Sequence, residues 1–324
     1  TLLCLLAGAV VGVAPVGRFA GRRVVTAPVF GSAAAFALLW DPHAERLPMV
    51  VGGAALAGAL VAAVGRALDE RSEEALRTWI VAGAGVFLVT GLCTLGGAPP
   101  RVAWALLLTA AVLAARFVPG LSVDVPDQYL IDLERLAVTA WSARTQAPGR
   151  RGRTMVPREA VAAVAGHGTR IVTAAGTAVL VVSAVSASLL LTTATLPVDR
   201  IGARVLVFLA GAALLLAGRS YRHRAARAQL RTAGLACWVA LAAVLLTLMD
   251  ADALLWLAIG AVVVSTVLVV AAVAVGRGWR SAWWARRAEV AEGLAGACAL
   301  ASLVVAAGWF RQLWEIASLW ELSS

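Results

Sequence analysis

The sequence predicts an all-α integral membrane protein with about ten transmembrane helices and a long cytoplasmic loop containing an amphipathic helix. The first observation is a recurrence of apolar stretches near 1–16, 24–40, 47–65, 78–96, 102–119, 171–193, 203–218, 232–249, 253–276 and 291–310. A hydrocarbon core about 30 Å thick needs roughly 20 residues of helix rising about 1.5 Å each. With no water there to satisfy backbone N–H and C=O groups, such stretches must be helical. The second observation is the placement of arginine, which supplies all 28 basic residues. Arg46, Arg101, Arg200, Arg204 and Arg311 alone fall on one set of alternate connections, and all the others fall on the opposite set. The positive-inside rule puts the rich face in the cytoplasm and both ends of the chain outside. Tryptophan is the third: Trp40, Trp104, Trp256 and Trp309 fall near outer span ends, and Trp79, Trp238, Trp279, Trp283 and Trp284 near inner ones. Amphipathic rings belong at that depth.

The elements divide into five spans over residues 1–119, a cytoplasmic segment over 120–170, and five spans over 171–324, ending outside. The chain opens at Thr1 with no charged leader and no cleavage signature, so it reads as a piece preceded by an odd number of spans, most economically one. In the central segment, Asp127 is an N-cap for a helix running to Arg144. Leu130, Leu133, Leu136, Ala137, Ala140 and Trp141 recur there at three- and four-residue steps, while Asp132, Glu134, Arg135 and Arg144 lie mostly elsewhere. Such a helix lies in the membrane interface, docks on a partner, or packs back on its own cytoplasmic face. Residues 146–154 form a basic hinge, and a short helix is expected from Val156-Pro157-Arg158-Glu159. The connectors Arg219–Arg231 and Arg277–Glu292 are expected to continue their neighbouring spans as helix.

The net charge of +10 is explained by topology, so nucleic acid is not an expected partner; anionic lipid headgroups are. Span interiors carry essentially no ionisable groups, with Asp199, Arg200, Asp250 and Asp252 placed in outer loops and Glu289 and Glu292 at an inner mouth, Glu292 beside Arg286 or Arg287. No proton relay is readable. His43, His167 and His223 are isolated in loops, and Cys4, Cys93, Cys237 and Cys298 are scattered as small apolar residues, so no metal site is expected. No nucleotide-binding loop or hydrolase motif occurs, and neither a catalytic residue nor a cofactor is expected. Ser183, Ser186, Ser188, Thr192 and Thr193 either line a polar path or hydrogen-bond within the bundle. Gly8 with Gly12, and Ala54 with Gly58, are small-residue steps suited to close packing inside the bundle or to a dimer seam. The five-plus-five layout also admits a secondary transporter or lipid exporter, although the halves share no convincing similarity.

Three stretches carry a more specific likeness: Val125-Pro126-Asp127-Gln128-Tyr129-Leu130 with Glu134-Arg135-Leu136, then Pro197 to Arg204, then Gly276-Arg277-Gly278-Trp279-Arg280 with Arg286 to Glu292. Together they resemble the EccD family, the polytopic subunit of type VII (ESX) secretion machinery in high-GC Gram-positive bacteria. The resemblance implies an eleven-span plan of which this chain holds the last ten, the ubiquitin-like domain and first span being absent. It also implies a non-enzymatic plasma-membrane subunit that pairs into a homodimer around a lipid-containing cavity. The expected partners are an FtsK/SpoIIIE-like ATPase (EccC), EccB and usually EccE, and the exported cargo is of the WXG100 type. On that reading Asp127, Tyr129, Leu133, Glu134, Arg135 and Trp141 are the docking candidates.

Overall fold

The computed structural model describes residues 2–14, 20–41, 43, 45–68, 73–121, 158–277 and 282–323. Among these residues every regular element is helical: α1 (Leu2–Val13), α2 (Ala20–Leu39), α3 (Leu47–Leu68), α4 (Glu73–Leu95), α5 (Pro100–Leu121), α6 (Arg158–Thr193), α7 (Pro197–Ala217), α8 (Arg224–Leu246), α9 (Ala251–Gly276), α10 (Ala282–Ala306) and α11 (Trp309–Ser323). Seven are long and apolar enough to cross a membrane, and three more contain shorter apolar stretches, over Leu2–Val13, Arg23–Leu39 and Asp252–Val267. Those ten coincide with the ten apolar stretches of the sequence; α11 is additional.

Helices α1 to α4 pack in a row, each on the next, and α4 also meets α6. The rest gather around α5 and α7, which contact each other and both contact α10, while α8 closes the group against α6 and α7. The main core lies here, with Trp104, Leu108, Leu190, Leu206, Leu214 and Leu230 fully buried among alanines. Lipid tails are as apolar as leucine, so helices associate through close van der Waals approach, and small residues set how close. A Cβ added at Gly12 would lie 2.8 Å from the Ala27 Cβ, and one at Gly202 would lie 2.7 Å from the Ala306 nitrogen. Gly8 meets the Phe30 ring and Gly58 meets Ser32, so both small-residue steps serve packing within the bundle.

Several local expectations change. The helix after Pro157 is not short: α6 is a single helix of 36 residues, continuous with the following span. The connector at 218–223 is a turn, and helix resumes only at Arg224. The last span stops at Ala306, where Gly308 at φ 84° turns the chain into α11. A left-handed residue without Cβ is the ordinary way to end a helix and change direction. Trp104 is not an interfacial ring but a core residue with no exposure. Trp238 stacks on Phe208 with centroids 5.7 Å apart and donates its indole N–H to the Phe208 carbonyl at 3.1 Å. Cys93 and Cys237 are buried as expected, whereas Cys4 and Cys298 face outward.

α9 stands apart. Every side chain described in it is exposed, and among the described residues no other helix packs closely on it. It is apolar around its whole circumference, the pattern of a helix surrounded by lipid or protein on all sides.

Candidate functional site

The six docking candidates, Asp127, Tyr129, Leu133, Glu134, Arg135 and Trp141, lie outside the described residues. What the structure describes is the frame on which their segment is mounted. α5 delivers the chain at Leu121 and α6 receives it at Arg158, and these two helices pack on each other.

At the arginine-rich end, the two halves of the chain are tied beside that segment. The Glu74 carboxylate, in the first turn of α4, accepts hydrogen bonds from Arg170 Nε at 2.9 Å and lies 2.9 Å from His167 Nδ1, both on α6. His167 is therefore a helical hydrogen-bond partner of Glu74, not an isolated loop residue. Tyr221 is buried in the 218–223 turn and donates its hydroxyl to the Ala115 carbonyl of α5 at 2.6 Å. Burial pushes its phenol up to about 12. Arg227 then donates to the Tyr221 carbonyl through Nε and Nη2, at 3.0 and 2.8 Å, which holds the turn closed. A cleft of about 300 Å³ opens nearby, lined by Arg116, Pro119, Ser220, Glu289 and Glu292. Among the described residues no ion pair joins Glu292 to Arg286 or Arg287. Arg287 instead lies 3.4 Å above the Trp283 ring, a cation–π contact.

At the opposite end Asp199, expected in an outer loop, belongs to a helix. α7 begins at Pro197, so Asp199 sits in its first turn, with its side chain fully buried. Pro at the first helical position followed by an acid in the first turn is a helix-start signature that could have located it. Arg101, from the start of α5, brings Nη2 to 3.2 Å from Asp199 Oδ2, and Arg311 of α11 brings Nε to 4.0 Å from Oδ1. Neither carboxylate oxygen makes an aligned hydrogen bond within the described residues, so the contact is chiefly electrostatic. A Cβ on Gly308 would lie 2.9 Å from Arg101 Nη2, so glycine there is needed for clearance as well as for its φ. One carboxylate thus ties α5, α7 and the α10–α11 corner. At the same end, in the α2–α3 connection, the Asp41 carboxyl accepts from the His43 backbone N–H at 3.0 Å and pairs with the His43 ring and Arg46. These contacts hold it at about 2.

The hydroxyls of α6 do not assemble into a polar path. Ser188 bonds to the Ala184 carbonyl, Thr192 to Leu189 and Thr193 to Leu189, each one turn back. Among the described residues no three His, Cys, Asp or Glu side chains converge as metal ligands would.

Glu45, Gly97 to Arg101, Asp199 and Ala307 lie at one end of the bundle, and Glu74 with Arg170, and Arg116 with Ser220, lie at the other. This is a polytopic membrane protein, all-helical among the described residues, in which Glu74 and Asp199 each fasten helix ends together. A family model described as an EccD-like transmembrane domain matches residues 1–316. The chain belongs to the EccD family, integral membrane subunits of type VII (ESX) secretion systems. Its fold is also similar to a solved structure titled protomer 1 of the ESX-3 core complex, at a TM-score of 0.60 and 21% identity over 96% of this chain and 67% of that one. No curated protein matches the chain.

Proposed function

We propose that this protein is a non-enzymatic scaffold of a type VII secretion complex in the bacterial plasma membrane, and that its 120–170 segment is the cytoplasmic docking site for the partner ATPase. In this reading the arginine-rich end faces the cytoplasm, and two copies pair to hold the ATPase of the FtsK/SpoIIIE type with EccB- and EccE-type subunits. Energy for export of WXG100-type cargo comes from the ATPase, and this chain transmits its motion through a stiff bundle. The observation that carries the reading is that the halves are fastened to each other at both ends. Arg101 on Asp199 joins α5 to α7 at one, and Arg170 and His167 on Glu74 join α6 to α4 at the other. A carrier that alternates access rocks one repeat against the other about a midplane site; fastening at both ends opposes that motion and favours a frame.

The test is to purify the chain from its native membranes in mild detergent and compare it with a Leu133→Glu, Trp141→Glu variant. The expected result is a large assembly containing the ATPase for the parent, and loss of the ATPase with normal membrane insertion for the variant. Equal co-purification of the ATPase with both would refute docking through this segment.

A further inference from the structure

α11 follows α10 after only Ala307 and Gly308, and among the described residues it meets the bundle chiefly at that corner, through α10 and the Arg311–Asp199 contact. Over its first ten residues, 309–318, it separates by face when set at about 100° per residue. Trp309, Phe310, Leu313, Trp314, Ile316 and Ala317 share one broad arc, and Arg311, Glu315 and Ser318 share the other. The polar arc is the tethered one. Arg311 reaches the buried Asp199 and also pairs through Nη1 with Glu315 at 2.9 Å. The apolar arc is consequently free of the bundle: Leu313 is 62% exposed, Trp314 69% and Ile316 53%. Phe310 stacks on Trp314 with centroids 6.4 Å apart, so the two rings present one continuous apolar slab.

We infer that α11 is an interfacial helix, lying along the membrane surface with its aromatic arc sunk at the headgroup–acyl boundary of the leaflet next to the end of α10. Continuity supports lipid as the occupant. Arg286–Ala306 has the length and composition of a span, so two residues later the chain is still at the boundary that span has just reached. Tryptophan and phenylalanine on one arc, with charge on the other, is the composition that suits this depth. The Asp199–Arg311 contact and the Gly308 corner set the roll of the helix, so that the aromatic arc is presented to the membrane and not to water. The charge pattern sharpens the inference. Arg311, the only basic residue of α11, is already paired with Glu315, so insertion of apolar surface and not attraction to anionic headgroups holds the helix down. The inference concerns the face where Asp199 sits and holds whichever side of the membrane that is.

Site-directed spin labelling of the full chain in phospholipid vesicles tests it. With the four native cysteines replaced by alanine, Leu313→Cys, Ile316→Cys and Ser318→Cys are labelled singly, and collision with oxygen and with a water-soluble nickel chelate is measured. Labels at 313 and 316 are expected to collide severalfold more with oxygen than with the chelate, and the label at 318 to show the reverse. The pattern is expected to be the same in purely zwitterionic vesicles and in vesicles containing anionic lipid. Chelate access at all three positions would overturn the inference, because α11 would then stand in water. Shielding of 313 and 316 from both reagents would overturn it too, because protein and not lipid would then cover the arc. Insertion that appears only with anionic lipid would overturn the apolar mechanism.

Discussion

Exchange of Asp199 for asparagine removes the negative charge from the contact that joins α5, α7 and α11 and leaves two arginines facing a neutral amide. Removing one member of a buried ion pair costs about 3–5 kcal/mol, because the remaining charge stays desolvated and uncompensated. The geometry ranks the three members. Asp199 has no exposed side-chain surface and Arg101 only 11%, at 3.2 Å, so Asp199→Asn and Arg101→Leu both fall in that range. Arg311 is 33% exposed and sits 4.0 Å away, so Arg311→Leu is expected to cost about 1 kcal/mol or less. A double Asp199→Leu, Arg101→Leu variant removes both buried charges, and well-packed apolar replacements of buried pairs are often near neutral. It is therefore expected to be more stable than either single variant. Thermal unfolding in mild detergent, followed by a thiol-reactive fluorogenic dye in a Cys4→Ala, Cys298→Ala background, reports the loss, since Cys93 and Cys237 are buried until the bundle opens. An unchanged midpoint for Asp199→Asn would refute the reasoning. So would a larger loss from Arg311→Leu than from Arg101→Leu.

The same assay checks three further expectations, and two titrations check two more. Gly202→Ala forces a Cβ to within 2.7 Å of the Ala306 backbone and is expected to cost about 1–3 kcal/mol by separating α7 from α10. Gly85→Ala, with nothing within 4 Å of the new atom, should instead be neutral or stabilising by up to about 1 kcal/mol through helix propensity. Tyr221→Phe leaves the Ala115 carbonyl without its 2.6 Å donor and should cost about 1–3 kcal/mol. Because the Tyr221 phenol is raised from 10.0 to about 12, its contribution is complete below pH 10 and is lost as pH rises towards 12. Ultraviolet titration of a Tyr129→Phe variant, which leaves one tyrosine, should show no phenolate until above pH 11 by roughly that argument, and ionisation near pH 10 would refute it. Asp41 works in the opposite sense: held at about 2 against an ordinary 3.8, it keeps its contacts above pH 4 and loses them only as pH falls to about 2. Carbon NMR of the Asp41 carboxyl would read this directly, and an ordinary midpoint would count against the hydrogen bond from the His43 N–H.

The spans are legible because lipid leaves backbone groups no option but helix, so each apolar run of sufficient length marks one. What composition could not reveal was where each helix begins relative to the apolar run. Asp199 and Arg200 read as loop because they are charged, yet proline at the first turn starts α7 before the apolar stretch and carries the carboxylate into the bundle. Its partners, Arg101 and Arg311, are distant in sequence and of the rarer, arginine-poor set, and only the fold brings them together. Trp104 was misplaced for a related reason. Position near a span end suggests an interface, but α5 is surrounded by α6, α7 and α10, so a ring there enters the core. α11 was hidden because Trp309 and Phe310 extend the apolar run of α10 without a break in composition. Only the left-handed Gly308 separates them.

α9 is the case in which a sequence rule and the fold agree and still leave a helix without a neighbour. Association in lipid requires a face that permits close approach, and the bundle helices supply one at Gly12, Gly58, Gly202, Gly211 and Gly234, each of which meets another helix. Gly260 of α9 meets nothing within 4 Å among the described residues, and the apolar residues of α9 are spread evenly around its axis. Nothing in α9 therefore directs one face inward, and its uniformly apolar surface suits it to the bilayer. Gly260→Ala should leave the unfolding midpoint of the isolated chain unchanged or slightly raised, by up to about 1 kcal/mol of helix propensity. A marked loss would mean that α9 packs on its own bundle after all.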